Sequence, residues 1–397
     1  MHKLRALRDQ NLIKVATGIR RAGKSTLLHM FRQELIDGGV DVKATQYINF
    51  EDPDYNRPDD WRGIYNEIKA GLVEGTKNYV FLDEIQNIKE FEKLADGLFI
   101  HPDVDLYITG SNAYFLSGEL ATLLSGRYIE IHVLPLSFAE YYEFFADDTN
   151  LGRVEKFERY VRLGSFPEVA NLISNGLESQ VPDYLTAVYN TVVEKDIMTR
   201  YKFSPNPVFD NVLRFALDSV GSLISPNNIR GAIHNDRKNQ PVSIERIDNY
   251  LRAFTESYVL INAQRFDVKG KVLLKTLHKY YAIDTGLRNN LLGKDSADKG
   301  HLLENVVFLE LLRRGNRVFV GKVNDKEVDF VVQTLDGYTE YYQIAETMTG
   351  QDVRARELAS LNKIANHNPK YIITNDPGSA SYEGIRQINA IDWLLGV

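Results

Sequence analysis

Eight consecutive residues near the N-terminus have the types and the spacing of a loop that binds phosphate groups. They are Gly18-Ile19-Arg20-Arg21-Ala22-Gly23-Lys24-Ser25, and they satisfy the pattern G-x-x-x-x-G-K-[ST]. In such a loop the glycines allow backbone N–H groups to curl around a β-phosphate, the lysine pairs with the β- and γ-oxygens, and the serine ligates Mg²⁺. The sequence therefore predicts a nucleoside triphosphate and Mg²⁺ site that contains Gly18, Arg20, Arg21, Gly23, Lys24, Ser25 and Thr26. The two arginines are ambiguous, because either can steer phosphate or only pair with an acidic neighbour.

A second stretch, Tyr79-Val80-Phe81-Leu82-Asp83-Glu84, is an apolar segment that ends in two carboxylates. In a parallel sheet the carboxyl end of a strand faces the nucleotide, so Asp83 is placed to join the Mg²⁺ shell. Glu84 is then placed to polarise the attacking water. By itself this string is typical of a strand end and a solvated turn. Combined with the phosphate loop, it predicts hydrolysis rather than binding alone.

Two further segments carry candidate catalytic residues. An apolar strand from Leu106 to Thr109 is followed by Ser111 and Asn112, which either contact the γ-phosphate or lytic water or cap a helix. Arg127 follows Gly126, a glycine typical of a helix C-terminus. It is a candidate arginine finger, supplied in cis or by a neighbouring subunit, and a plain surface arginine is the alternative. A finger in trans would require a homo-oligomer.

The elements around these residues alternate between strand and helix. Apolar runs at 12–16, 44–49, 79–82 and 106–109 predict strands, and the segment 24–36 predicts an amphipathic helix that ends before Gly38-Gly39. Such alternation is typical of α/β proteins, with a parallel sheet covered by helices. Because the sequence contains no N-K-x-D string, which reads guanine, ATP is the preferred nucleotide.

The composition is that of a globular protein with more than one domain. The chain has 397 residues, and at about 150 residues per domain it holds two or three. It has no cysteine, which excludes disulfide frameworks, thiolate metal sites and cysteine nucleophiles and suits a reducing, cytoplasmic location. No apolar run approaches the roughly 18 residues of a membrane helix, so neither a membrane span nor a secretory leader is expected.

The net charge of −7 gives no overall attraction to nucleic acid, but residues 200–290 hold 14 Lys and Arg against 8 Asp and Glu. Within this basic segment a helix is predicted after Ser243, with apolar residues on one face (Ile244, Ile247, Leu251, Phe254, Tyr258) and polar residues opposite (Arg246, Asn249, Arg252). Two strands follow around Lys269-Gly270-Lys271, with Lys275 and Lys279 beyond them. The pattern indicates a winged helix that contacts DNA, or a solvated or protein-binding surface.

The C-terminal region carries polar residues that resemble part of a metal-dependent nuclease site. Glu304 lies in an apolar helix, Asp329 in a strand, and the next strand contains Gln343-Ile344-Ala345. A metal-dependent nuclease of this kind would use a helix Glu, a strand Asp and then E-x-K or Q-x-K. Ala345 stands where the lysine is required, and no nearby residue replaces it. We therefore expect a structural or nucleic-acid-binding remnant rather than an active nuclease.

These strings together resemble a family, the prokaryotic predicted AAA+-type P-loop ATPases. The strings are GIRRAGKSTLL, FLDEIQN, YITGSNAYFLSGELATLLSGR, PLSFAEYYEF, GSFPEV, VVEKDIMTR and HLLENVVFLELLRRG, and the resemblance extends over essentially the whole chain. The resemblance implies an ATPase domain at 1–135, a helical lid at 136–203, a winged helix at 204–292 and a restriction-endonuclease-like domain at 293–397.

The same resemblance implies roles for individual residues: Lys24 and Ser25 for phosphate and Mg²⁺, Asp83 and Glu84 for metal and water, Asn112 as sensor, and Arg127 as a finger. The leading hypothesis is a Mg²⁺-dependent ATPase whose nucleotide cycle repositions the appended domains, with DNA as a candidate partner. The alternatives are a nucleotide-gated oligomeric switch or protein-binding scaffold with little turnover, and a metal-dependent DNA nuclease.

Overall fold

The computed structural model describes residues 1–111, 126–204, 206–234, 242–293 and 299–397. The chain divides into two compact units. The first consists of Met1–Val133 with the short segment Glu256–Tyr258, and the second of Leu134–Thr255 with Val259–Val397.

The first unit alternates helices with strands, as the apolar runs predict. Its described helices are α1 (His2–Leu7), α2 (Lys24–Asp37), α3 (Trp61–Ala70) and α4 (Phe91–Phe99). Its described strands are β1 (Ile13–Thr17), β2 (Thr45–Asn49), β3 (Asn78–Asp83), β4 (Val104–Gly110) and β5 (Tyr128–His132). The predicted strand at 12–16 is shifted by one residue, and the predicted helix at 24–36 extends one residue further.

The five described strands of this unit form one parallel sheet in the order β2-β3-β4-β1-β5. The α/β prediction with a parallel sheet is therefore confirmed. Strands β1, β3 and β4 are buried along their whole length because helices cover both faces of the sheet. Since side chains alternate along a strand, Val80 and Leu82 pack on one face while Tyr79 and Phe81 pack on the other.

The second unit begins with helices. Ser137 caps α5 reciprocally with Glu140, which explains why a helix starts directly after Pro135-Leu136. The described helices are α5 (Phe138–Phe144), α6 (Arg153–Leu163), α7 (Pro167–Ser174), α8 (Val181–Thr191), α9 (Thr199–Tyr201), α10 (Pro207–Asp218), α11 (Pro226–His234), α12 (Ile244–Glu256), α13 (Thr285–Leu292), α14 (Lys299–Arg313), α15 (Gln351–Asn362) and α16 (Ala390–Leu395). A π-helical segment, Val192–Met198, joins α8 to α9.

The described strands of the second unit are β6 (Leu223–Ile224), β7 (Leu260–Asp267), β8 (Val272–Ala282), β9 (Arg317–Val323), β10 (Lys326–Gln333), β11 (Thr339–Ala345), β12 (Lys370–Thr374), β13 (Ala380–Tyr382) and β14 (Ile385–Asn389). They form one mixed sheet in the order β13-β14-β12-β11-β10-β9-β7-β8-β6. The hairpin β7–β8 confirms the two strands predicted around Lys269-Gly270-Lys271. Because β7 also pairs with β9, the sheet runs across the expected boundary between residues 292 and 293.

The helix predicted after Ser243 is α12, and its apolar face is largely as expected. Ile247, Leu251 and Phe254 are buried, whereas Ile244 at the helix start is exposed. Tyr258 lies beyond the helix end, in a left-handed backbone conformation. Among the described residues, no helix is long and apolar enough to cross a bilayer.

Candidate functional site

The phosphate loop connects β1 to α2, the position that its sequence pattern requires. Gly18 follows β1 with φ of 144°, and a Cβ at this position would lie 2.1 Å from the carbonyl oxygen of Val133. Only glycine fits there, because any side chain would overlap that backbone oxygen. Gly23 caps α2 with φ of 99°, so the helix N-terminus and its positive end adjoin the loop.

Lys24 begins α2 and is nearly fully buried. Its Nζ donates hydrogen bonds to the carbonyl oxygens of Gly18, at 3.0 Å, and Ile19, at 3.2 Å. The ammonium group is thus held inside the curl of the loop. This is the position from which the sequence pattern predicts that the lysine binds phosphate.

Asp83 ends β3 and is buried, with both of its oxygens hydrogen-bonded by neutral hydroxyl groups. Thr109 on β4 donates to Oδ1 at 2.5 Å, and Tyr47 on β2 donates to Oδ2 at 2.8 Å. These three side chains meet because β2, β3 and β4 are adjacent parallel strands. Burial and the charge of Asp83 raise the pKa of Tyr47 above its usual value, so the hydroxyl keeps its proton and acts as a donor.

Glu84 follows β3 in a left-handed conformation, with φ of 52° and ψ of 45°. Such a conformation is unfavourable for a residue with a side chain and is often found at functional sites. The Glu84 backbone N–H donates to Thr109 Oγ1 at 2.8 Å, which helps to hold it. Its carboxylate lies 3.8 Å from Lys24 Nζ and 3.7 Å from Arg20.

The two loop arginines differ in their surroundings. Arg20 is mostly buried and also lies 3.3 Å from Glu51, so it pairs with acidic neighbours. Arg21 is exposed and has φ of 67°. Thr26 is exposed in the first turn of α2.

The donor set fits Mg²⁺, a cation that prefers oxygen ligands and retains waters or substrate oxygens in its shell. The hydroxyl of Tyr47 donates to the carboxylate of Asp83, and Ser25 is near enough to this hydroxyl to oppose the rise of its pKa, so the two predicted ligands lie on either side of Tyr47. Among the described residues there is no group of three or more His, Asp or Glu side chains able to hold a metal ion. A cation held by Ser25 and Asp83 would have further positions in its shell for phosphate and water oxygens.

Of the other two predicted catalytic residues, Asn112 lies outside the described residues, and Arg127 is not brought into this constellation. Arg127 directly precedes β5, and its carbonyl oxygen accepts from Ile13 N at the start of β1. Because β1 and β5 are parallel, Arg127 lies beside the amino end of β1, whereas the phosphate loop follows the carboxyl end. At 3.3 Å per residue, the length of β1 separates the Arg127 backbone from the loop by about 15 Å. Its guanidinium pairs with Asp96 instead.

In the described part of the basic segment, some cations are exposed and others are paired with neighbouring side chains. Lys269 and Lys271 are exposed at the turn of the β7–β8 hairpin. On the exposed face of α12, however, Arg252 lies 3.8 Å from Asp248, and Arg246 donates to the hydroxyl of Tyr250.

Lys279, expected beside the basic wing, is buried in β8 with 2% of its side chain exposed. Its Nζ lies 2.9 Å from Glu304 on α14, 2.7 Å from Glu327 and 3.6 Å from Asp329 on β10. Lys279 therefore adds no exposed charge to the predicted basic wing, because burial and three carboxylates enclose it. We refer to Lys279, Glu304, Glu327 and Asp329 as the ion-pair cluster.

The ion-pair cluster brings together the helix Glu and the strand Asp that the sequence singled out, with a lysine that the sequence placed near the basic hairpin turn instead. Tyr281 donates to Glu304 at 2.7 Å. Burial and the neighbouring Glu304 raise the pKa of Asp329 to about 8. Gln343, the third motif position, instead contacts Glu357 at 3.3 Å and Ser360 at 3.2 Å on α15.

Comparisons with known proteins agree with the first unit's architecture. A family profile described as an AAA domain matches residues 10–142, and one described as a domain of unknown function matches residues 154–298. An uncharacterized protein of Haemophilus influenzae is 35% identical over 398 residues, covering 100% of this chain and 97% of that protein. An uncharacterized protein of Methanocaldococcus jannaschii is 32% identical over 388 residues, covering 93% of this chain and 83% of that protein.

Among solved structures, the ORC2 protein of Aeropyrum pernix in its ADPNP–ADP complexes is similar, with 13% identity and a TM-score of 0.41 over 74% of this chain and 90% of that chain. The ORC1 protein of the same organism, in complex with DNA, has 13% identity and a TM-score of 0.28 over 72% of this chain and 87% of that chain. These likenesses are too remote to carry a function.

Proposed function

We propose that this chain, which belongs to one family with its Haemophilus influenzae and Methanocaldococcus jannaschii relatives and carries an AAA domain, binds ATP with Mg²⁺ and hydrolyses it. The observation that carries the proposal is the meeting of four side chains at one edge of a parallel sheet. Lys24 and Ser25 begin α2, while Asp83 and Glu84 end β3. Their types and placement match what phosphoryl transfer to water requires.

In the proposed reaction, the loop N–H groups and Lys24 bind the β- and γ-phosphates. Ser25 and Asp83 would hold Mg²⁺, which when bound neutralises charge on the phosphate oxygens. Glu84 orients and polarises the attacking water. The buried surroundings of Lys24 and Glu84 strengthen these interactions, because the dielectric is lower there than in water.

The proposal is tested by measuring ATP binding and phosphate release by the purified chain. Lys24→Ala should lose nucleotide binding, whereas Glu84→Gln should bind ATP and turn over little. Lys89→Ala is a matched control, because Lys89 is 71% exposed and pairs with Asp59 at the surface. Equal turnover by the wild type and all three variants would rule the mechanism out.

We also propose that the nucleotide cycle repositions the predicted winged helix and C-terminal domain, with DNA as the partner. The exposed Lys269 and Lys271 at the hairpin turn support a phosphate contact. ATP turnover should then rise on addition of duplex DNA. If DNA leaves the rate of ATP turnover unchanged, and if light scattering shows that the molar mass in solution changes with the bound nucleotide, an oligomeric switch would be favoured instead.

For the C-terminal region we propose a remnant without nuclease activity. The support is that Lys279 pairs with three carboxylates and that Gln343 makes its contacts elsewhere. Incubation with duplex DNA and Mg²⁺ or Mn²⁺ should leave the DNA intact. Cleavage products that disappear in Asp329→Ala would overturn this proposal.

A further inference from the structure

One side chain near the proposed Mg²⁺ site has no role in the sequence pattern. Tyr47 lies in β2, and its hydroxyl donates to Asp83 Oδ2 at 2.8 Å. The neighbouring Ser25 side chain acts on the same hydroxyl and opposes the rise of its pKa. A single tyrosine therefore contacts one side chain proposed as a metal ligand, Asp83 on β3, and lies beside the other, Ser25 on α2.

The ring of Tyr47 is also held in place. It stacks on His29 with ring centroids 3.8 Å apart and packs near Phe81 at 6.2 Å. Ser25 and His29 are four residues apart on α2, so they share one face of the helix. The ring of the tyrosine thus packs on α2 at His29, one turn beyond Ser25.

The contacts of Asp83 give the hydroxyl a directional role. Thr109 occupies Oδ1 and Tyr47 occupies Oδ2, so the carboxylate plane is fixed by one donor from each neighbouring strand. Removal of either donor leaves one buried oxygen without its hydroxyl donor, and the carboxylate is then freer to rotate. Partners that orient a ligand in this way commonly change metal affinity about 10–100-fold when they are replaced.

We propose that Tyr47 is a positioning residue for the Mg²⁺–nucleotide complex, whose hydroxyl sets the relative orientation of Ser25 and Asp83. This inference rests on the proposed function. Tyr47 contacts the side chain of Asp83, lies beside that of Ser25 and acts through these two side chains. It should therefore affect the metal-dependent part of nucleotide binding and spare the metal-free part.

The test compares Tyr47→Phe with Tyr79→Phe. Tyr79 is a matched control because its hydroxyl donates to Asp9 at 2.8 Å, at the start of β3 and away from the phosphate loop. ADP affinity is measured by calorimetry in EDTA and in Mg²⁺, and Mn²⁺ affinity is measured by electron paramagnetic resonance with ADP present. In Tyr47→Phe we expect Mn²⁺ affinity to fall about 10–100-fold. ADP affinity in EDTA should remain within about twofold of wild type, and Tyr79→Phe should match wild type in both measurements.

A turnover experiment separates positioning from a general structural effect. At low Mg²⁺ concentration Tyr47→Phe should turn over ATP more slowly than the wild type. Raising the Mg²⁺ concentration should restore its turnover rate, because the defect lies in the KM for Mg²⁺. The same addition should leave Glu84→Gln inactive. A lowered kcat in Tyr47→Phe that no Mg²⁺ concentration restores would refute the positioning role.

Failure of this inference is distinguishable from failure of the proposed function. A wild-type chain that binds no nucleotide refutes the proposed function. A wild-type chain that binds Mg²⁺–ADP, with Mn²⁺ affinity unchanged in Tyr47→Phe, refutes only the role of Tyr47. If Tyr47→Phe does not fold, His29→Ala carries the test, because His29 is exposed and its removal loosens the Tyr47 ring. Mn²⁺ affinity equal to wild type in that variant also overturns the inference.

Discussion

Replacing Lys279 with methionine removes the cation of the ion-pair cluster and keeps most of the side-chain volume. The lysine lies within 4 Å of Glu304, Glu327 and Asp329, and it is almost fully buried. Three carboxylates would then face one another without a compensating charge. Removing one partner of a buried ion pair costs about 3–5 kcal/mol, because the remaining charge is desolvated and unpaired.

The expected size of the effect follows from the size of the unit. A loss of about 3–5 kcal/mol corresponds to a fall in Tm of roughly 6–20 °C for a unit of this size. A matched control is Lys363→Met, which breaks the surface pair with Asp325, where the two side chains are 37% and 74% exposed. Exposed pairs contribute about 0–1 kcal/mol, so the control should melt within a few degrees of the wild type.

The dependence on pH gives a second reading of the same cluster. The pKa of Asp329 is raised to about 8, mainly by burial, so the folded state binds a proton that the unfolded state has released above its ordinary pKa near 3.8. Its contribution to stability is therefore fully present below about pH 4 and is lost as the pH rises through 8. The difference in Tm between Lys279→Met and the wild type should be smaller at pH 5 than at pH 8.5, because protonation relieves the unpaired charge.

The assay is thermal unfolding followed by circular dichroism at both pH values, with unfolding in urea to give the free energies. The double variant Lys279→Met with Glu304→Gln should recover part of the lost stability, since one of the unpaired carboxylates is gone. A Lys279→Met chain that melts within about 1 °C of the wild type at both pH values would show that the cluster is solvated and that the reasoning is wrong.

Three further predictions concern the loop, the arginine and the hairpin. Gly18→Ala should abolish ATP binding in a chain that still folds, because its Cβ would overlap the Val133 carbonyl; isothermal titration that detects wild-type affinity would contradict this. Arg127→Ala should reduce turnover only if copies associate, and mixing it with Lys24→Ala chains should then restore activity; a defect in a strictly monomeric chain would refute a role in trans. Charge reversal of Lys269 and Lys271 should weaken DNA binding at low salt. It should also reduce the slope of log affinity against log salt concentration by the amount expected for about one to two fewer phosphate contacts. Fluorescence anisotropy that shows no change in DNA affinity would contradict a role for the hairpin in DNA binding.

The phosphate loop and the parallel sheet could be predicted because their signals are local. The spacing of Gly18, Gly23 and Lys24 is a pattern within eight residues, and the buried strand β3 is a continuous apolar run. Burial on both faces of a parallel sheet removes the alternation of polar and apolar residues and leaves such runs. The carboxyl end of β3 then places Asp83 without any knowledge of distant contacts.

Lys279 could not be placed in the same way. The sequence predicts the hairpin, and Lys279 lies in its second strand, β8. Its carboxylate partners, however, are 25 to 50 residues away along the chain. Nothing in a strand pattern tells whether a lysine points to solvent or to a helix packed on the sheet. The only available signal was Glu304 itself, since a carboxylate in an apolar helix requires a buried partner.

Tyr47 was missed for a related reason. It stands in an apolar strand, where a tyrosine is common, and its hydroxyl acquires a role only because β2 lies beside β3 in the sheet. The sequence order of strands does not specify this neighbour relation. Arg127 shows the converse, because it follows a predicted helix end in the sequence but lies beside the first residue of β1, at the opposite end of that strand from the phosphate loop.

The two groups of buried carboxylates are compensated in different ways, and this difference bears on which of them suits a cation. At the end of β3, Asp83 is satisfied by the hydroxyl groups of Tyr47 and Thr109, which leave its negative charge in place. In the ion-pair cluster a protein ammonium, Lys279, already lies among the carboxylates. A divalent ion would gain attraction at the first site but would have to displace or repel a buried lysine at the second. The charge arrangement therefore favours Mg²⁺ at the phosphate loop and disfavours it in the C-terminal region, which a comparison of Mn²⁺ binding by wild-type, Asp83→Asn and Asp329→Asn chains would test directly.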